Sequence, residues 1–348
     1  MPNPFFFGPK ITNTRYFVGR KQEIKKIFGF LNTEHTGQIQ HVSVVGERRI
    51  GKSSLLYHLL QVNGQYLTAS ERYHFIYLDL QNPRCHTQIG LLCHILDELE
   101  IFYPGTPTLE EFYEKIETEH EENGTWAVLL MDEFEKLTTR PQEFTDDFYD
   151  SLRALGNHNL LGVVTASQQT LRALADQEKL TSPFFNIFHQ ITLGEFRDDE
   201  VQTFLELGRT GDQPFTADDC RQIIKIAGNH PARLQIVADL VYEAKAEERT
   251  LKWKAIKKDA KGEPAFDVQA SKWHDHWFFS GLRWLFVTVP RMVGQFFWAV
   301  WKYEKATPAA EWIAGIIPIG VALGVLIGVI PWPIVTKYIR RFAELFGG

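Results

Sequence analysis

The sequence predicts an α/β protein in which helices cover a parallel sheet that carries a phosphate-binding loop. Apolar, strand-like runs alternate with helix-like segments through the first half of the chain. A glycine-rich loop of pattern G-x-x-x-x-G-K-S follows the first run, and a later run ends in two adjacent carboxylates. Strands connected through helices lie parallel, and such sheets bind ligands at the carboxyl ends of their strands.

The first predicted strand, 41–45, leads directly into the glycine-rich loop. Loops of this pattern turn successive backbone N–H groups toward phosphate oxygens, and the helix that follows adds its positive end. Lys52 is predicted to reach the β- and γ-phosphates and Ser53 to ligate Mg²⁺. The predicted nucleotide-binding residues here are Gly46, Glu47, Arg48, Arg49, Ile50, Gly51, Lys52, Ser53 and Ser54.

The second signal is a continuously apolar run, 126–131, that ends at Asp132 and Glu133. Asp132 is predicted to hold Mg²⁺ through water, and Glu133 to polarise the water that attacks the γ-phosphate. Adjacent Asp and Glu residues are common on solvated surfaces. Their position after an apolar strand, downstream of the loop, favours catalytic roles for Glu133 and Lys52.

Further elements continue the α/β alternation, with predicted strands at 75–80 and 159–167 and a predicted helix at 90–99. Thr165 and Ser167 close the last of these strands. At the carboxyl edge of the sheet they are candidate sensors of the γ-phosphate, and capping of the next helix is the alternative.

Four motifs occur in an order that resembles the prokaryotic STAND ATPases, a signal-transduction branch close to AAA+. They are Phe17-Val18-Gly19-Arg20, the glycine-rich loop, Met131-Asp132-Glu133-Phe134 and Gly228-Asn229-His230-Pro231. The resemblance covers residues 3–246 and implies a P-loop core of the AAA+/STAND type with a small helical lid. It also implies ATP as the nucleotide and ATP-controlled assembly of a homo-oligomer.

Further site residues follow from the resemblance. The 17–20 turn is implied to cover the adenine, and His230 and Pro231 to contact the nucleotide from the lid. Pro231 suits the first turn of a helix, whose N-terminus favours phosphate. Arg233 in that turn is a candidate second sensor, with a solvated charge as the alternative.

The arginines inside the loop, Arg48 and Arg49, have two open roles: contact with phosphate, or pairing with acidic residues of a neighbouring subunit. No arginine supplied in trans is evident from the sequence. Because such an arginine accelerates phosphoryl transfer by several orders of magnitude, we expect a slow, switch-like ATPase.

Composition limits the partners and the compartment. The formal net charge of -6 and the pI near 6.1 give no electrostatic indication of nucleic-acid binding. The three cysteines of the chain fit a reducing cytosol better than a disulfide framework. The ATPase domain is therefore expected in the cytoplasm.

The carboxyl end has a different character. Residues 312–336 carry no charge, and an apolar run of more than about 18 residues predicts a membrane-spanning helix. Gly320, Gly324 and Gly328 recur every fourth residue, which favours close helix association in a bilayer. The aromatic stretch 284–301 contains Arg291, so it is expected either to cross as the first arm of a hairpin or to lie in the interface.

The predicted domains are a P-loop core (1–194), a helical lid (195–246), a charged linker (247–276) and a membrane module of one or two transmembrane helices (277–348). For the linker, a solvated helix extension and a contact with anionic lipid are alternatives. The sequence thus predicts an ATP-driven switch in the inner or cell membrane. By resemblance, its assembly activates a membrane effector in stress or phage defence, in response to an unidentified trigger or partner protein. The alternatives are a membrane-anchored AAA-type assembly or transport ATPase and a nucleotide-binding scaffold that does not hydrolyse.

Overall fold

A computed structural model describes residues 3–5, 7–8, 10–33, 37–209 and 214–263. The predicted membrane module, 277–348, and residues 264–276 of the predicted linker lie outside the described residues. Within the part that is described, no helix combines the length and the apolar character needed to cross a membrane.

Strands and helices alternate along the described chain. The strands are β1 (His41–Gly46), β2 (Tyr73–Asp79), β3 (Trp126–Asp132), β4 (Leu161–Ser167) and β5 (Phe188–Leu193). The helices up to β5 are α1 (Lys21–Leu31), α2 (Lys52–Tyr66), α3 (Gln88–Glu98), α4 (Leu109–Asn123), α5 (Glu135–Thr138), α6 (Asp146–Asn157) and α7 (Leu171–Glu178). After β5 come α8 (Asp198–Glu206), α9 (Ala217–Ala227), α10 (Pro231–Ala246) and α11 (Trp253–Gly262). Short 3₁₀ turns lie at Thr14–Tyr16, Ser70–Arg72, Pro83–His86, Pro183–Asn186 and Leu207–Arg209.

The five strands form one parallel sheet in the order β2-β3-β4-β1-β5. The predicted α/β fold with a parallel sheet is therefore confirmed. Because β4 lies between β1 and β3, the ends of three strands meet beside the glycine-rich loop. The register pairs Val45 with Ser167 and Met131 with Thr165, so the candidate sensors lie between the loop and the carboxylate pair.

Two predicted boundaries shift for local reasons. The helix predicted from Gly90 begins earlier, at Gln88, because the Thr87 side chain accepts a hydrogen bond from the Gly90 N–H and caps it. The strand predicted from Asn159 begins at Leu161, because Asn159 has a left-handed backbone with φ 61°. Its side chain instead accepts a bond from the Ile39 N–H at 2.7 Å.

Separate apolar clusters cover the two faces of the sheet. One packs α3 and α6 against it, and the other packs α1 and α2. All six residues of β1 are buried, as expected for a central strand covered on both faces. Each large side chain removed from water in this way contributes roughly 1.5–3 kcal/mol. The loop after β1 is thus carried by the most buried part of the sheet.

A buried histidine begins β1. Nδ1 of His41 accepts a hydrogen bond from the Val163 N–H at 3.1 Å, and the ring lies against Gly156, where a Cβ would come within 2.3 Å of it. Burial, with a smaller effect from His189, lowers the pKa of His41 to about 4. The neutral ring is therefore the form that fits the fold.

This pKa predicts a loss of stability in mild acid. Because the folded pKa of about 4 lies below the ordinary 6.5, the unfolded state binds the extra proton, and stability present above pH 6.5 is lost as the pH falls toward 4. At pH 5 the loss from one such histidine is on the order of 2 kcal/mol. Urea unfolding of wild type and His41→Asn at pH 7 and pH 5 measures it. The variant, which keeps an acceptor near Nδ1, should lose less stability between the two pH values. An equal loss in both proteins would contradict the assignment.

A third apolar cluster, which we call the lid cluster, is built by α8, α9 and α10. Phe5 inserts into it from the N-terminal segment, with its ring centroid 5.1 Å from that of Phe204 and 5.4 Å from that of Phe215. Asp219 and Lys245 join α9 to α10 through a 2.6 Å ion pair. The N-terminal segment is therefore anchored in the helical part of the molecule.

Part of the predicted linker, residues 253–262, is helical and packs on the lid helices, so the helix-extension alternative describes it except that one face is buried. These residues form α11, and Ile256 and Ala260 are buried in the lid cluster. The two side chains are four residues apart and share one helix face, whereas the lysines of α11 are exposed. A charge-rich composition concealed this narrow apolar face. The domain boundaries themselves stay predictions.

Candidate functional site

The glycine-rich loop curls between β1 and α2. Its tight path requires left-handed backbone at Arg49, with φ 62°, and at Gly51, with φ 101°. A Cβ on Gly46 would lie 2.9 Å from the Leu193 carbonyl oxygen, so a side chain there would force β5 away. The loop ends at the N-terminus of α2, where unpaired N–H groups and the helix dipole favour an anion.

Lys52 is held over this loop. Its Nζ donates to the Gly46 carbonyl oxygen at 2.8 Å and to the Glu47 carbonyl oxygen at 2.9 Å. The side chain is buried, which lowers the pKa of Lys52, although Glu133 and Glu135 oppose this shift. An ammonium group has three donors, so one more hydrogen is available for an anion at the loop.

Asp132 and Glu133 end β3 at the same edge of the sheet. Asp132 is 4% exposed, and its Oδ2 accepts a hydrogen bond from the Tyr77 hydroxyl at 2.6 Å. Glu133 is half-buried and lines the cavity described below. Burial, Glu135 and Asp132 raise the pKa of Glu133, while Lys52 opposes the shift. A carboxylate whose pKa is raised toward neutrality is suited to take a proton from water.

Carboxylate and hydroxyl oxygens are the ligands that Mg²⁺ takes from proteins when phosphate supplies the others. Ser53, in the first turn of α2, and Asp132, at the end of β3, provide this pair. The donor set therefore fits a Mg²⁺ ion bound together with a nucleotide.

The two candidate sensors differ. The Ser167 hydroxyl donates to the Gln169 carbonyl oxygen at 2.6 Å and so holds the turn that precedes α7. Thr165 is fully buried, and its hydroxyl has no hydrogen-bond partner among the described residues. The cap of α7 is Thr170 rather than Ser167, whose contact lies within the preceding turn, and both Thr165 and Ser167 stay candidate sensors.

One cavity of about 370 Å³ joins the loop, the carboxylate edge and the lid. It is lined by most of the predicted nucleotide-binding residues, namely Phe17, Val18, Arg20, Arg48, Arg49, Ile50, Gly51, Lys52, Ser53, Ser54 and Pro231. Gly46 and Glu47 contribute carbonyls to Lys52 from beneath. The cavity is large enough for a nucleotide-sized ligand.

Other predicted residues lie behind this cavity. Gly19 has φ 80°, and a Cβ on it would lie 3.0 Å from the Glu200 carboxylate, so it packs toward the lid. His230 is 3% exposed at the N-terminus of α10. Burial and the neighbouring Arg233 lower the pKa of His230 to about 4. His230 directly precedes Pro231, which lines the cavity.

Arg20, which is predicted to contact the base, lines the cavity and also makes contacts within the protein. Its Nη2 donates to the Ile50 carbonyl oxygen at 3.1 Å and to the Gly194 carbonyl oxygen at 2.7 Å. Its backbone N–H donates to Glu200 of α8. The guanidinium therefore ties the glycine-rich loop to the segment that enters the lid, and this is why it is only 3% exposed.

The flat apolar surface of the 17–20 turn is supplied by Phe17 and Val18. The Phe17 ring stacks on the His58 ring with centroids 3.9 Å apart and planes 10° apart. Burial lowers the pKa of His58, so this supporting ring is neutral at pH 7. A stacked aromatic surface of this kind suits a planar base.

The motifs do not predict the part that the N-terminal segment, residues 3–5, 7–8 and 10–11, plays at the cavity. The Ile11 N–H donates to Ser54 Oγ at 2.9 Å, and Lys10 Nζ lies 4.1 Å from the centre of the Tyr77 ring. Phe7 lies under the Arg49 guanidinium at 5.1 Å. The segment thus lines the cavity, and nothing in its sequence besides aromatic residues near the motif signals this role.

Family models match the described core. A model for an AAA domain matches residues 36–175, and a model for Novel STAND NTPase 2 matches residues 125–272. The first match contains the glycine-rich loop and the carboxylate pair, and the second runs from β3 through the lid. Residues 36–175 are therefore similar to AAA domains, and residues 125–272 are similar to STAND NTPases.

Solved structures share this fold. The ORC2 protein of Aeropyrum pernix, in ADPNP and ADP complexes, has a TM-score of 0.54 at 16% identity over 74% of this chain and 70% of that chain. The Walker-type ATPase of Pyrococcus abyssi has a TM-score of 0.54 at 18% identity over 83% of this chain and 81% of that chain. At these identities the likeness shows the fold alone.

A curated relative matches a smaller part. An uncharacterised HTH-type transcriptional regulator of Methanocaldococcus jannaschii is 36% identical over 110 residues, which is 30% of this chain. The match spans 24% of the length of that relative. It therefore relates one segment of the two proteins and not their whole architecture.

Proposed function

We propose that this protein is a slow, ATP-hydrolysing switch whose ATP-controlled assembly drives a membrane effector at its carboxyl end. The observation that carries the nucleotide part is the convergence of the glycine-rich loop, the 132–133 carboxylates and the lid on one cavity. A ligand bound in this cavity contacts both the P-loop core and the lid helices, so it can favour one arrangement of the two over another, as a nucleotide-dependent switch requires.

Each residue has a defined part in this proposal. The loop N–H groups and Lys52 bind the phosphates, and Ser53 and Asp132 hold Mg²⁺. When bound, Mg²⁺ neutralises charge that develops on the phosphate oxygens. Glu133 orients the attacking water and accepts its proton, which its raised pKa favours.

Hydrolysis is proposed to be slow because the arginines of the cavity have other contacts or face the ligand from the same chain. Arg20 is committed to backbone carbonyls. Arg48 and Arg49 are exposed loop residues that line the cavity. A charge brought in from a neighbouring subunit would raise the rate by several orders of magnitude, so turnover would respond to assembly.

The output is proposed to be the membrane module, 277–348. The support is compositional: the uncharged run 312–336 with glycines at every fourth position favours insertion into a bilayer and association of helices. The protein would then be a homo-oligomer of the cell membrane with its NTPase domain in the cytoplasm. A trigger or partner protein that is still to be identified would start its assembly.

The test is a two-by-two comparison in cells. The chain is expressed with or without residues 281–348, and with Lys52 or Lys52→Ala. Growth arrest or membrane damage is expected only when the tail and Lys52 are both present, because assembly would require nucleotide and damage would require the tail. Damage that persists in Lys52→Ala would contradict the switch.

Experiments on the purified protein distinguish two alternatives. If the tail is only an anchor of an assembly or transport ATPase, its removal leaves the nucleotide-dependent change of size on a gel-filtration column intact and no membrane damage occurs in any variant. If the protein is a scaffold that does not hydrolyse, ATP binds but no phosphate is released.

Nucleotide choice gives a further prediction. ATP should bind more tightly than GTP, because the Phe17 and Val18 surface matches an adenine-covering turn by resemblance and the chain has no Asn-Lys-x-Asp motif for guanine. Competition between the two triphosphates for a fluorescent ATP analogue measures the ratio. Comparable affinities would remove the base contact assigned to the 17–20 turn.

A further inference from the structure

Tyr77 directs its hydroxyl at the carboxylate proposed to hold Mg²⁺. The O–H donates to Asp132 Oδ2 at 2.6 Å. In the β2–β3 register Tyr77 is paired with Leu130 and Asp79 with Asp132, so Tyr77 and Asp132 lie on one face of adjacent strands, two positions apart. Tyr77 belongs to none of the four motifs, and the proposed function gives it no part.

The second oxygen of this carboxylate is also held. Oδ1 of Asp132 accepts a hydrogen bond from the Glu133 N–H at 3.1 Å. Each carboxylate oxygen can accept two bonds, so Asp132 keeps acceptor capacity for a metal or its water after both contacts are made. With one donor on each oxygen and only 4% exposure, the orientation of the carboxylate is set by its neighbours.

Tyr77 is in turn held by its surroundings. Lys10 Nζ lies 4.1 Å from the centre of its ring, and the Tyr57 ring meets it edge-on with centroids 5.6 Å apart and planes at 78°. The Ile11 N–H, bound to Ser54 Oγ, keeps the Lys10 segment on α2. The phenol is therefore pre-positioned by contacts from a strand, a helix and the N-terminal segment.

We propose that Tyr77 is a positioning residue for Mg²⁺, whose hydroxyl fixes Asp132 in the orientation that takes the metal. The inference rests on the proposed binding of ATP with Mg²⁺. Hydrogen-bond partners of metal ligands typically change metal affinity 10- to 100-fold when they are removed. In the opposite arrangement the hydroxyl blocks Asp132 and must leave before the metal binds. Removal of the hydroxyl would then strengthen Mg²⁺ binding instead of weakening it.

The test is Tyr77→Phe in the full chain, which keeps the ring and removes only the donor. Binding of a fluorescent ATP analogue is titrated with Mg²⁺ and is also measured in EDTA. The Mg²⁺ concentration for half-maximal binding should rise about 10-fold or more, while affinity in EDTA stays at the wild-type value. Loss of a hydrogen bond to the buried Asp132 lowers the melting temperature under either role, so the affinity in EDTA separates them: a merely structural role would lower it as well.

Tyr57→Phe is the matched control, because Tyr57 contacts the same lysine and ring and makes no bond to Asp132 among the described residues. It should keep the wild-type Mg²⁺ requirement. If Tyr77→Phe leaves the Mg²⁺ concentration for half-maximal binding unchanged or lowers it, while ATP binding in EDTA is intact, the positioning role alone is overturned. Absence of ATP binding by wild type at any Mg²⁺ concentration overturns the proposed function instead.

Discussion

Lys52→Ala should abolish tight ATP binding, a loss of at least about 100-fold in affinity. Hydrogen bonds to charged groups contribute about 1.5–3 kcal/mol each, and 100-fold corresponds to about 2.7 kcal/mol. The variant removes the ammonium group from the phosphates and also the two bonds from Nζ to the Gly46 and Glu47 carbonyl oxygens. Isothermal titration with ATP and Mg²⁺ measures the effect.

Glu133→Gln should separate binding from chemistry. The amide keeps the size of the side chain but cannot take a proton from water, so the hydrolysis rate should fall by about 10²–10⁴ while ATP affinity stays within a few-fold of wild type. Burial raises the pKa of Glu133, so the surroundings disfavour the charge that the amide removes. Phosphate release under single-turnover conditions measures the rate. An equal loss of binding in both variants would contradict the role given to Glu133.

The parts of this site that the sequence predicts are those determined by local spacing. The strand, the glycine-rich loop and the helix at Lys52 are contiguous, so their residue pattern is sufficient to predict them. The same holds for Asp132 and Glu133, because an apolar run and its end are visible without knowledge of the fold. In the parallel sheet β1 and β3 lie on either side of β4, so both motifs end at the same edge of the sheet.

Other parts depend on contacts between distant segments. Tyr77 meets Asp132 across 55 positions, and Ile11 meets Ser54 across 43. The hydrophobic pattern of the sequence does not predict such pairs, because Tyr77 is an ordinary strand residue and Ile11 an ordinary apolar residue when each is taken on its own. The packing of helix α11 was not predicted for a different reason, because only two of its residues, Ile256 and Ala260, are buried.

Arg20 makes contacts that its motif does not predict. Its place in the Phe-Val-Gly-Arg turn led to a predicted contact with adenine, and the residue does line the cavity. Its backbone is left-handed, with φ 61°, and its guanidinium donates to the Ile50 and Gly194 carbonyls. Burial also lowers its pKa, against the charges of Glu23 and Glu200. The structural cost of its removal should therefore exceed its effect on base recognition.

Arg20→Met should lower the melting temperature of the nucleotide-free protein substantially. The substitution keeps a long apolar side chain but leaves the buried Ile50 carbonyl without this donor, which costs about 1–3 kcal/mol, and removes the partly buried bond to the Gly194 carbonyl. A total on the order of 3 kcal/mol corresponds to about 6–12 °C for a domain of this size. Differential scanning fluorimetry in EDTA without nucleotide measures the shift. ATP affinity should fall as well, because the loop loses its tie to the lid entrance.

Arg48→Met is the matched control, since Arg48 lines the same cavity from an exposed position. Its melting temperature should stay within about 2 °C of wild type, in keeping with the small effect of most exposed substitutions. The Arg20 assignment depends on the contrast between the two variants. If Arg20→Met melts like wild type without nucleotide and loses only ATP affinity, then Arg20 acts on the ligand, as the motif alone predicted, and does not join the loop to the lid.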